Sequence, residues 1–260
     1  MTPMKAQELY MLIDSRIAPF SLAEEWDNSG FLAGDPQAQI DTVLVCLDIT
    51  LPIIRQAEKA GAQLILSHHP VIFHPLKRVL ADSPVYALIR AGLCAICAHT
   101  NLDLARGGVN DCLAEALGLR NIRPLGENAP EEGEGVLGRI GDLPQPMTAD
   151  EFAALASRVL HPAGGVRYTD GGRPIRRVAV CGGAGSELYR QLPEDVDALL
   201  TSEFGHHEFL DCLAAGLTAV DAGHYDTEQI VLSSLCGRLE ALAPKVRFIR
   251  AQEAGPVRYL

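Results

Sequence analysis

The sequence predicts an α/β protein built in two halves. Three observations carry this: short β-rich apolar runs alternate with longer helical patterns, the first series reads βαβαβα, and an acidic Gly-rich stretch separates it from a second series. Residues 1–14 place apolar side chains at helical spacing. Residues 41–48 (DTVLVCLD) form a β-branched apolar strand, 52–60 a helix, and 62–66 (AQLIL) a strand that ends at Ser67. A helical stretch near 84–91, a strand at 93–98 and a helix at 109–117 closed by Gly118 follow. Such a series describes a parallel or mixed sheet covered by helices. Residues 126–135 (GENAPEEGEG) lack apolar periodicity and read as an exposed linker, which divides the chain into domains 1–125 and 126–260, the C-terminal segment being able to pack back on the first. The second series has helices at 149–159, 187–192, 206–215 and 227–242. Its strands fall at 177–181, 198–201, 217–222 and 245–249.

Composition narrows the function classes. The 260 residues are 48% hydrophobic and 21% charged, ordinary globular usage, which excludes disorder. No apolar run approaches the roughly 18 residues of a membrane-spanning helix. Twenty-two Lys and Arg against 33 Asp and Glu give a net charge of −11. That charge repels nucleic acid and anionic lipid in the absence of a basic stripe, and the densest basic stretch, 173–177, has only three arginines. The N-terminus lacks the charged, apolar and cleavage regions of a secretory signal, so a cytoplasmic protein is expected. The seven cysteines lie mostly inside apolar segments, as reduced buried thiols do. Cys94 and Cys97 form a CxxC inside the apolar run 91–98 with no second CxxC to complete a zinc site, and are read the same way.

The chemistry concentrates at strand ends. Of eight histidines, His68, His69, His99, His206, His207 and His224 sit at expected strand ends or in the loops after them. The carboxyl ends of strands are where open α/β sheets bind ligands. Adjacent histidines point in different directions, so His68-His69 and His206-His207 cannot chelate one ion as an i, i+4 helical pair does. Each member can hold one of two neighbouring ions. Asp103 and Glu228 each lie four residues after a strand-exit histidine, His99 and His224, and a carboxylate can bridge two ions. The repetition of this device in the two halves suggests an internal duplication. His74 and His161 lie outside the clusters and are read as structural. The segment 181–186 (CGGAGS) lacks both the GxGxxG pattern and a Walker lysine, and reads as tight strand-to-helix packing with phosphate contact as the rival. Trp26, the only tryptophan, reads as a packed anchor on an Asx-type turn rather than as a substrate contact.

Glu25-Trp26-Asp27-Asn28-Ser29-Gly30 with Gly34-Asp35, Ser67-His68-His69-Pro70, His99-Thr100-Asn101-Leu102-Asp103 and Gly223-His224-Tyr225-Asp226-Thr227-Glu228 together resemble the dinuclear-metal-centre hexameric protein family. The family is also called Nif-three-like, and its members carry the name GTP cyclohydrolase type 2 homologue. The resemblance covers nearly the whole chain, with the motifs in the family's order. It implies two interlocked α/β domains with helices covering mixed sheets, a metal cleft between them, and a toroidal homohexamer. It also implies two divalent ions per protomer held by His68, His69, Asp103, His224 and Glu228, with Asp103 and Glu228 bridging. His99 and the His206-His207 pair are then groups behind the ligands or facing substrate. Where many relatives have Gly-Glu before the second His pair, this chain has Thr201-Ser202-Glu203, which keeps the glutamate and puts only the local loop shape in doubt.

The expected activity is metal-dependent hydrolysis of a nucleotide such as GTP, in which metal-acidified water attacks the substrate and His99, Glu203 or His206 transfer protons. A phosphoesterase would use the same groups. A non-catalytic hexameric ring for metal storage, delivery or regulation is the rival of another class. Donors of this kind suit zinc, iron, manganese, cobalt or nickel.

Overall fold

Three apolar runs, Thr42–Cys46, Leu64–Ser67 and Cys94–Cys97, lie side by side as parallel strands, buried at every position. Burial on both faces is why these runs are continuously apolar rather than alternating. The computed structural model describes residues 4–126 and 136–260, so the expected linker lies outside the described residues except for Gly126. The chain divides into two compact units. One runs to Ala105 and adds Leu232–Glu253; the other runs from Arg106 to Val231 and adds Ala254–Leu260.

In the first unit the three strands are flanked by Arg247–Arg250, parallel to Thr42–Cys46, and by Gly30–Ala33, antiparallel to Cys94–Cys97. The helix Leu51–Ala60 starts at Thr50, whose hydroxyl accepts from the Ile53 N–H, and stops at Gly61 in the left-handed region. It buries Ile53, Ile54 and Ala57 against Leu44 and Ile65 of the sheet, while Pro84–Ala91 adds Leu88.

The second unit has a six-stranded mixed sheet in the order Arg120–Leu125, Val136–Met147, Ile175–Ala184, Ala198–Ser202, Thr218–Asp221 and Arg167–Tyr168. Its three parallel strands are the third, fourth and fifth of these. Alternate residues serve opposite faces, as strand geometry requires. Val178, Val180, Ala198 and Leu200 pack with Phe152 on one side, while Ala179 and Leu199 pack with Phe204 on the other. Among the described residues no helix is long and apolar enough to cross a membrane.

Four differences from the sequence reading have physical causes. The chain passes between units at Ala105/Arg106 rather than at 125/126, because the helix Val109–Ala116 gives Leu113 and Ala114 to the second unit's core. The helix expected at 187–192 is a 3₁₀ segment, Ser186–Gln191. The helix expected at 227–242 is two helices, His224–Glu228 and Val231–Leu242, and the chain passes between units at Val231/Leu232. The strand Val136–Met147 hid behind Gly138, Gly141, Pro144 and Pro146, residues that normally punctuate strands.

Gly34, just past the strand Gly30–Ala33, has φ +101° and passes so close to the sheet that a Cβ would lie 2.6 Å from the Cys94 Cα. Gly61 is also left-handed, but open space surrounds it. Gly34→Ala should therefore lower the unfolding free energy by about 2–4 kcal/mol in urea titrations. Gly61→Ala should cost only about 1 kcal/mol.

Candidate metal centre

In the first unit the carboxyl ends of three adjacent parallel strands carry Asp48, His68-His69 and His99. The ladder continues past the strands: His68 and His69 donate their backbone N–H groups to Cys46 and Leu47 at 3.1 and 2.9 Å. The Cys97 thiol and the Ser67 hydroxyl donate to the carbonyls of His68 and His69 at 2.9 and 2.8 Å. The histidine pair is thus fixed from both neighbouring strands. The rings of His68, His69 and His99 lie with centroids 5.0–5.6 Å apart, and these residues form one group whose ligand atoms all lie within 4.8 Å of one another. Asp103, buried in the short helix Thr100–Leu104, places Oδ1 3.6 Å from His68 Nε2. Two atoms each about 2.0–2.2 Å from one ion stand roughly 3–3.6 Å apart, so this spacing suits a shared ion.

Each ring is held by its other nitrogen. His68 Nδ1 is 2.9 Å from the Ala98 carbonyl oxygen, His69 Nδ1 is 2.9 Å from Asp48 Oδ1, and His99 Nδ1 is 2.7 Å from Asp27 Oδ1. A carbonyl oxygen only accepts, so His68 Nδ1 carries the proton, and the carboxylates favour the same placement at the other two. The lone pair of each ring then sits on Nε2, the atom that would meet a cation or a proton. Metal-ligating histidines are oriented in this way.

Asp27 is a hub. Its side chain is fully buried and accepts from His99 Nδ1, the Ser29 hydroxyl at 2.7 Å and the Thr100 hydroxyl at 2.6 Å. Burial alone would push its carboxyl up, but the hydrogen bonds from His99, Ser29 and Thr100 hold it well below the usual carboxylate range. It is therefore an anionic acceptor for His99 at every physiological pH.

The second unit repeats the plan. The carboxyl ends of its three parallel strands carry Gly183, Glu203 and His224. His224 Nδ1 meets Glu203 Oε1 at 2.7 Å, and His224 Nε2 is 3.3 Å from Glu228 Oε2, one turn along the helix His224–Glu228. Glu203 reaches back from a left-handed residue, φ 63°. Gly183 is glycine for the sake of the site: a Cβ there would lie 2.2 Å from Glu228 Oε1 and 3.3 Å from His224 Nε2. Its backbone is pinned by the hydroxyls of Thr201, Ser202 and Thr227. The segment 181–186 is thus packed against a carboxylate. Thr201 and Ser202, just ahead of Glu203, belong to that pinning.

Other expected residues stand elsewhere. His206 and His207 are exposed at the start of the helix His206–Ala214, and neither belongs to a metal-capable group among the described residues. The same holds for Cys94 and Cys97, which are buried in their strand. His161 terminates the helix Ala149–Leu160 in the left-handed region. Trp26 is not a packed anchor: it is 57% exposed, because the turn is held instead by Asp27, Asn28 and Ser29. Sequence reading missed Asp27 and Asp48 as partners of histidines; Asp48, at a strand exit like the histidines themselves, carried the only local signal.

Comparison with known proteins gives the family and the fold. The family model described as Duf34/NIF3 (NGG1p interacting factor 3) matches residues 4–255. A Clostridium perfringens protein named GTP cyclohydrolase 1 type 2 homolog is 32% identical over 258 residues, 96% of this chain and 97% of that one. The crystal structure of the Staphylococcus aureus hypothetical protein SA1388 superposes with a TM-score of 0.90 at 27% identity, covering 99% of this chain and 100% of that one. The reduced HcgD structure from Methanocaldococcus jannaschii gives 0.82 at 28% identity, covering 96% and 98%.

Asp48→Ala should lower divalent-metal affinity by about 10- to 100-fold in equilibrium dialysis without altering the circular dichroism spectrum. Gly183→Ala, which drives a methyl into the Glu228 carboxylate, should lower it at least as much, and His74→Ala should leave it unchanged.

Proposed function

The chain belongs to the DUF34/NIF3 family, and from that premise we propose that it is a metal-dependent hydrolase that binds two divalent ions per protomer and acts on a nucleotide such as GTP. His68, His69, Asp103, His224 and Glu228 would hold the ions. The observation that carries the reading is that four histidines at strand ends, His68, His69, His99 and His224, are each held at Nδ1 by an oxygen acceptor. Protonation at Nδ1 puts the lone pair of each ring on Nε2: in His68, His69 and His224 that suits a cation, and in His99 it suits a proton.

When bound, divalent ions supply Lewis acidity and bring the pKa of coordinated water toward about 7. The protein's own contribution is orientation and proton handling. The Ala98 carbonyl fixes the His68 ring, Asp48 the His69 ring and Glu203 the His224 ring. His99 backed by ionised Asp27 is the arrangement of an oriented general base, with the carboxylate stabilising the imidazolium that forms. This role falls to His99 rather than to Glu203, already engaged with His224, or to the exposed His206. The family resemblance supports assembly as a homohexamer.

Protein reconstituted with zinc, manganese or iron should bind two equivalents, consume GTP and release formate. Two bound equivalents with no turnover by any ion would overturn the cyclohydrolase reading and leave the metal-handling one. Asp103→Ala or Glu228→Ala should lose both ions together; retention of one full equivalent would break the bridging assignment. His99→Ala should keep both ions while turnover falls by about 10²- to 10⁴-fold. Loss of metal in that variant would move His99 into the ligand set.

A further inference from the structure

Trp26 and Phe73 are 57% and 41% exposed, yet they are not scattered surface residues. Their ring centroids are 6.0 Å apart, and each stands edge-on to His99, at 6.1 and 6.3 Å. Both are wired to the candidate metal centre by their chain neighbours. Asp27, next to Trp26, binds His99 Nδ1. Asn28 donates its side-chain N–H to the Ile72 carbonyl at 2.5 Å, which ties the Trp26 turn to the segment bearing Phe73. Ser29 Oγ accepts the His99 backbone N–H at 3.2 Å. The turn that orients a histidine therefore also fixes a large indole facing solvent beside it. An exposed tryptophan forgoes the stabilisation that burial gives an aromatic ring.

We propose that Trp26 and Phe73 form a stacking platform for a planar heteroaromatic ring, the purine base of a nucleotide, held against His99. Aromatic faces bind bases through their π-surfaces and tolerate variation in the hydrogen-bonding edge. A phosphate or an aliphatic chain has no flat face to stack. The inference rests on the proposed function for the place where the reacting atoms lie, but stacking itself needs no metal.

Trp26 is the only tryptophan, so its fluorescence reports the platform directly. The full-length protein, metal-loaded and after chelation, is titrated with guanosine, GTP and inorganic tripolyphosphate, with free tryptophan amide correcting for absorption. Saturable quenching by guanosine and GTP in both forms, absent with tripolyphosphate, is the expected result. Phe73→Ala should weaken guanosine binding about 10-fold, equivalent to about 1.4 kcal/mol, with metal content unchanged. Quenching by tripolyphosphate alone, or no saturable quenching by guanosine, overturns the platform even if two ions are bound. Saturable guanosine quenching in a protein that binds no metal leaves the platform standing and removes the metal centre instead. Emission already blue-shifted in the assembled protein, moving red on dilution, would mean that a second copy covers Trp26, and also overturns the proposal.

Discussion

An imidazole can offer a cation only one nitrogen at a time, and which one is decided by what holds the other. The hydrogen bonds at Nδ1 of His68, His69 and His224 make that decision three times, and the one at His99 aims a base in the same way. Their acceptors come from the main chain after one strand, from the exits of two others and from the Trp26 turn. The parallel strands must therefore be in register before any ring is aimed. The continuous apolar character of those strands, and of the helices that cover them, serves that register.

The backbone specials of the second unit follow from the same demand. Gly183 leaves room for a carboxylate, Glu203 adopts a left-handed conformation to reach His224, and three hydroxyls hold the Gly183 backbone in place. Left-handed non-glycine residues cost on the order of 1–3 kcal/mol and persist where surrounding contacts determine them. Here the contact is with a proposed ligand. In the first unit the comparable expense is Asp27, a buried anion kept ionised by the donors around it.

The sequence made the histidine clusters and their carboxylates legible because each lies within a few residues at the end of an apolar run. The strands Thr42–Cys46, Leu64–Ser67 and Cys94–Cys97 were visible for the same local reason. The partners were not visible: Asp27 and His99 are separated by 72 positions, and Asp48 and His69 by 21, so only the sheet brings them together. Trp26 was misread because hydrophobicity favours burial, and nothing local reveals that Asp27, Asn28 and Ser29 take over the anchoring. The boundary at Ala105/Arg106 was hidden because the helix Val109–Ala116 continues the local pattern of one half while packing in the core of the other unit.

The central claim is that the rings of His68, His69 and His224 present Nε2 to cations. It is tested most directly by anomalous diffraction from crystals of the zinc-reconstituted protein. The account requires anomalous peaks at coordination distance, about 2.0–2.1 Å, from Nε2 of His68, His69 and His224, with their Nδ1 contacts intact. Peaks at Nδ1 of these rings, or confined to the exposed His206-His207 pair, would contradict it.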